Sequence, residues 1–347
     1  MDMKVIGQAA RIMINYLKSY AREGRYRADG NSGKILKAAF RDEAFLVWVN
    51  AYAEFIENFT EKLRSILMDL SSPRQEKLES ILQKGLLSAI SADKLAMLES
   101  RFEDALALPF EESVDVALKY LPKRTKIDVD IYLTVDPFNT GMMRPGKVFL
   151  SILLAEPTPK LAKGVAHEFH HVGAYYWLDK NLQLKALKSS HEHAQMLADV
   201  ITYLVTEGMA NWYTSPSAIH TVKGADKHNT RVRQLEQNMF GLLKSLEHLL
   251  SWICEQHKPV EEVKEAFQAL SIDTSGYGIP AGHFLSGRMV GAMEKSDAVP
   301  REGIIDLVKH PFEFFDLYNR AVKEDIRLNV SLLSSVRNKV ADWATTG

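Results

Sequence analysis

The chain has 347 residues, 46% hydrophobic and 25% charged, with a net charge of -1. This is ordinary soluble globular composition, long enough for one large domain or two cooperating ones, with no whole-chain pull toward nucleic acid or an anionic membrane. A single cysteine, Cys254, excludes an internal disulfide, and in the apolar stretch 249–254 it reads as a small buried side chain rather than a reactive thiol.

Residues 1–11 lack the pattern of a signal peptide. No run approaches the ~18 apolar residues of a membrane span, so a cytoplasmic location is expected. From about 4 to 120 the spacing predicts helices, as in Phe45, Trp48, Val49, Tyr52, Phe55, Ile56 and Phe59. Pro73, Pro109 and Pro122 punctuate them. The polar, Gly-containing segment 22–34 lacks the spacing of a phosphate loop and reads as a surface loop.

Near 126 the pattern changes. Ile127, Val129, Ile131, Leu133 and Val135 alternate with other residues, which is strand periodicity. Two prolines and two glycines make 136–146 a turn or flexible loop, and 148–154 is a second, more buried strand. A helix is expected from about 160 to 178. Ser189 and Ser190 are candidate caps for another reaching about 213. Residues 214–229 read as a polar loop. Helix resumes after about 230, interrupted around 273–278 by a Gly-containing turn. The expectation is a mainly α protein with a small central β-sheet (α+β), divided into an N-terminal helical region, 1–122, and a second region, 123–347.

His167-Glu168-Phe169-His170-His171 contains H-E-x-x-H. On a helix the outer histidines lie about 40° apart around the axis and about 6 Å apart along it, so both imidazoles can reach one ion. Glu168 lies beside that face and can touch water at the metal without being a ligand. Val165, Phe169, Val172 and Tyr176 fall on the opposite side as anchors, while Gly164 and Ala174 lie near the metal face. His170 lies off that face and reads as a packing histidine or one that supports a ligand from behind, rather than as a ligand.

A catalytic zinc site needs a third protein ligand. The candidate is Glu207, near the end of the next long helix in an apolar setting where an unpaired carboxylate would be costly. Gly208 would let two backbones approach closely. Asn211 shares the Glu207 face and could support a ligating histidine.

His167-Glu168-x-x-His171 followed by Glu207-Gly208-Met209-Ala210 resembles the gluzincin zinc metallopeptidases. The resemblance covers 126–213. It implies a zincin-like architecture, one Zn2+ per chain held by His167, His171 and Glu207, catalytic Glu168, and a peptide substrate. Two features depart from it: the gap from His171 to Glu207 is longer than in thermolysin-like members, and the Gly-x-Met-Glu-Asn motif of aminopeptidases is absent. The segment 275–283 also resembles a Gly-Tyr-rich stretch of bacterial zinc peptidases that lack an assigned activity. It opens a helix near Pro280, and Tyr277 or His283 could donate to the developing oxyanion.

The remaining histidines read blandly. His191 and His193 mark a solvated helix start. His220 and His228 sit in a polar stretch that is a solvated loop or a flap facing substrate. A di-iron carboxylate bundle would need a second Glu-x-x-His motif, and there is only Glu168-x-x-His171. The alternative to a zinc peptidase is a catalytically inactive binding or regulatory protein that keeps the zincin fold. No nucleic-acid or membrane partner is expected. The N-terminal helices would wall a cleft restricting substrates to peptides.

Overall fold

The computed structural model describes residues 3–53, 56–154, 159–272 and 279–346, with the backbone alone over 159–164 and at 346. It is mainly helical with one four-stranded mixed sheet, the α+β class expected. The chain divides into two compact units, one of residues 1–113 with 128–172, the other of 114–127 with 173–347. Among the described residues no helix is long and apolar enough to cross a membrane.

The first unit begins with β1 (Val5–Ile6), α1 (Gln8–Glu23), α2 (Asn31–Ala39) and α3 (Glu43–Ala53). It continues through α4 (Phe59–Met68), α5 (Lys77–Ser88), α6 (Ala92–Leu106) and the start of α7 (Phe110–Leu118). Then come β2 (Asp130–Thr134), β3 (Gly141–Arg144), β4 (Lys147–Ser151) and the first part of α8 (Pro159–Leu178). The sheet order is β1-β2-β4-β3; β1, β2 and β4 run parallel and β3 is antiparallel to β4. Ile131, Leu133 and Val148 are fully buried, as the strand periodicity required.

Two strands depart from the expectation. β1, in a stretch expected to be helical, pairs Val5 with Ile131, a partner invisible to local periodicity. β3 lies inside 136–146, expected as a loop: Gly146, at φ +70°, closes a tight turn from β3 into β4, so this segment is partly a hairpin.

The turn after β2 is fixed by Asp136, whose carboxyl is buried. It accepts from the backbone N–H of Phe138 (2.7 Å) and Asn139 (3.2 Å), from Trp48 Nε1 (3.5 Å) and from the Tyr52 hydroxyl. Asn139 Nδ2 in turn donates to that hydroxyl at 2.9 Å. Burial raises the Asp136 pKa, opposed by the donors around it.

Only 24–30 of the segment 22–34 connects helices. Glu23 reaches across it: Oε1 accepts from the backbone of Asn31 (2.7 Å) and Oε2 from the Ser32 hydroxyl (2.6 Å). The start of α2, where a phosphate would bind in a true phosphate loop, therefore already holds a carboxylate.

The second unit contains α9 (Leu182–Lys188), α10 (Glu192–Tyr213), α11 (Asp226–Gln237), α12 (Met239–Glu255) and α13 (Val260–Ser271). It ends with α14 (Ala281–Glu294), α15 (Arg301–Ile305), α16 (Phe314–Ala321) and α17 (Val330–Thr346). α9 is too short to show a period. The Asn181 side chain caps it, accepting from Leu184 N at 2.9 Å. α11 starts within the stretch expected as loop. The turn expected around 273–278 lies outside the described residues. Cys254 is buried, which pushes its thiol up to about 11.

Candidate functional site

On α8 the His167 and His171 rings meet edge to face, with their Nε2 atoms 2.9 Å apart. Two nitrogens bound to one tetrahedral zinc at about 2.0–2.1 Å would stand about 3.3 Å apart. The pair therefore suits a shared ion with little movement. Val165 and Phe169 are fully buried and anchor the helix. Val172 and Tyr176, expected on the same buried face, are only half-buried, and the Lys180 ammonium lies 3.2 Å from the Tyr176 ring centre. Ala174 is fully buried, and so is His170, in keeping with a packing role.

Glu168 turns toward the sheet. A Cβ on Gly141 would lie 2.7 Å from Glu168 Oε1, so this glycine at the start of β3 is what lets the carboxylate lie against the strand backbone. β3 ends the sheet. One row of its peptide groups consequently points away from β4.

On α10, Glu207 is mostly buried. Asn211, one turn on, donates Nδ2 to Glu207 Oε2 (3.1 Å) and to its carbonyl oxygen (2.8 Å). The His283 ring, in the first turn of α14, places Nε2 3.4 Å from the same carboxylate oxygen. The spacing of Asn211 suggested support for a ligating histidine; its amide goes to the glutamate. Gly208 does bring two backbones close, and the partner is α14: a Cβ there would stand 2.9 Å from the Ser286 carbonyl oxygen.

Tyr203 lies one turn before Glu207 on α10. The i, i+4 relation that drew attention to Asn211 applies equally on that side. Its ring packs on Phe267 and His283, with centroids 5.3 and 5.6 Å apart. Burial, and then the nearby Glu207 charge, raises its pKa well above the usual value. Tyr277 lies outside the described residues.

The other histidines are engaged elsewhere. His191 packs edge-on against Trp343 and His193 Nε2 lies 3.0 Å from the Lys258 carbonyl, so this helix start is docked rather than merely solvated. His220 meets Arg288 at 3.1 Å, and His228 contacts the His220 carbonyl at 2.9 Å.

A mainly helical α+β chain with a facing histidine pair on one helix and a buttressed glutamate on another has the parts of a metal-dependent hydrolase. Residues 46–326 match the model of the family described as "Putative zinc dependent peptidase (DUF5700)", and the chain belongs to that family. The match extends from α3 to the turn before α17 and takes in all of these residues. No curated protein and no solved structure matches the chain.

Proposed function

We propose that this protein is a gluzincin-type zinc peptidase, with one zinc held by His167, His171 and Glu207 and with Glu168 as general base. The observation that carries the reading is the His167–His171 pair on α8, whose Nε2 atoms stand 2.9 Å apart, with Glu207 as the carboxylate proposed to complete the donor set. Two imidazoles and one carboxylate are the donor set of catalytic zinc sites, which leave a position open. Zinc bound there would act as a Lewis acid and lower the pKa of water toward neutrality.

The chain's own residues do the rest. Asn211 and His283 hold Glu207 by Oε2. Glu168, supported by β3 on one side and close in sequence to His167, takes a proton from the attacking water and delivers it to the leaving amine. Of the two expected oxyanion donors, Tyr277 keeps that role as a proposal, while His283 serves first as the partner of Glu207. A peptide lying extended along β3 would pair with its outward peptide groups as an added strand, bringing a scissile bond past Glu168.

The test combines zinc content by atomic emission with hydrolysis of a quenched peptide library. The purified protein should carry one zinc per chain and cleave peptides. Glu168→Gln should keep the metal and lose hydrolysis. A metal-free protein, or a fully active Glu168→Gln variant, would sink the reading.

A further inference from the structure

A pocket of about 240 Å³ opens on the first unit, between the end of α2 and α4. Its apolar wall is Leu36, Phe40, Met68 and the ring of Tyr26, and its charged lining is Lys37, Arg41 and Arg64. Leu36 is buried, Phe40 and Tyr26 are half-buried, and Met68 is left 46% exposed. The charges are the informative part. Lys37 and Arg41 lie one helical turn apart at the end of α2, where cations suit the helix dipole. Arg64 has no such reason to be there. It comes from the middle of α4, and its guanidinium stands 4.5 Å from the centre of the Phe40 ring. Among the described residues none of the three forms an ion pair. Two carboxylates close in sequence are committed elsewhere, Glu23 to Asn31 and Ser32, and Asp42 to the Phe45 N–H at 3.0 Å. Residues 22–41 hold six basic side chains and two acidic ones, in a chain whose net charge is -1. Three like charges converging from two helices repel one another until an anion answers them.

We propose that this pocket binds a small organic anion, with an apolar body against Leu36, Phe40 and Met68 and a carboxylate or phosphate facing Lys37, Arg41 and Arg64. A bare inorganic ion would leave the apolar wall uncovered, and a neutral molecule would leave the cations unanswered. A guanidinium takes either anionic group through two parallel hydrogen bonds. Methionine, flexible and polarizable, adapts to the shape of the body. The volume falls below the ~300–1,000 Å³ of pockets for drug-sized ligands, so the occupant is smaller than these. The site lies within the first unit and uses no metal, so it stands or falls apart from the zinc reading.

The test titrates the full chain, labelled at its methionine methyl groups, and follows the Met68 resonance, assigned by its loss in Met68→Leu. The probes are phenyl phosphate and N-acetylphenylalanine. At least one should shift that resonance with a Kd of about 1 mM or tighter, and the tighter of the two identifies the anionic group. Inorganic phosphate lacks the body and N-acetylphenylalanine amide lacks the charge, so each should bind about 10-fold more weakly than its parent probe. Arg64→Gln, at an exposed side chain, should weaken the better probe by about 10-fold, the usual effect of losing a charge-assisted hydrogen bond. Raising sodium chloride from about 50 to about 500 mM should weaken it as well. No shift of Met68 by either probe at about 10 mM overturns the proposal. So does an amide that binds as tightly as the acid, or inorganic phosphate as tightly as its phenyl ester. Affinity of Arg64→Gln within about twofold of wild type also overturns it. The first three comparisons use the wild-type protein, so they hold whatever the variant does to folding.

Discussion

The buried carboxyl of Asp136 and the carboxylate of Glu207 solve opposite problems. Asp136 is enclosed by donors from α3 and from its own turn, and the shell is complete. Glu207 is held on Oε2 by Asn211 from its own helix and by His283 from α14. A complete shell is what a protein builds for stability. A carboxylate held in one orientation by neighbouring side chains is what a metal ligand requires, the role proposed for Glu207.

The contrast is open to direct attack, most sharply at the chemistry. Glu168→Gln should lower hydrolysis by about 10²–10⁴-fold, the usual contribution of a general base, with zinc retained. Asp136→Ala should do the reverse. It strands four donors at once and should destabilise by more than about 3 kcal/mol in urea unfolding, while a folded remainder keeps its zinc. Gly141→Ala tests the meeting of strand and base: the added methyl would press on Glu168 Oε1, and kcat/KM should drop by about 10²-fold, the scale of a 1 Å misplacement.

The pH effect is smaller. Burial raises the Asp136 pKa, so between its unfolded and folded values the native state binds the extra proton. The associated stability is present at low pH and is lost as pH rises through the folded pKa. Wild type should therefore gain stability relative to Asp136→Asn as pH falls from 7 toward 5, in paired denaturant titrations. The smallest effect is at Cys254, whose thiol is pushed up to about 11 by burial. It should react with a thiol reagent at pH 8 only after unfolding.

Much of this was legible in the sequence where the signal is local. The histidine spacing, the buried phase of Val165 and Phe169, and the apolar setting of Glu207 all lie within one or two helical turns. What stayed hidden depends on distant partners. Nothing in Val5 and Ile6 announces a strand until Ile131 is opposite. Gly141–Arg144, next to Pro145, reads as a loop until β4 supplies its hydrogen bonds. The role of Gly141 lies in the close approach of Glu168 that it permits, which composition cannot express. Tyr203 is the intermediate case: its spacing from Glu207 is local, while the burial of its hydroxyl appears only in the fold.

The pairing of Val5 with Ile131 also governs the order of assembly during synthesis. At ribosomal rates of about 5–20 residues per second, β1 must wait about 6–25 s for its neighbour to be translated. The helices between them can form in that interval, but the edge of the sheet cannot. A nascent chain stalled before codon 131 should thus hold its opening residues open to a chaperone or a protease, and that exposure should end only after β2 has left the exit tunnel.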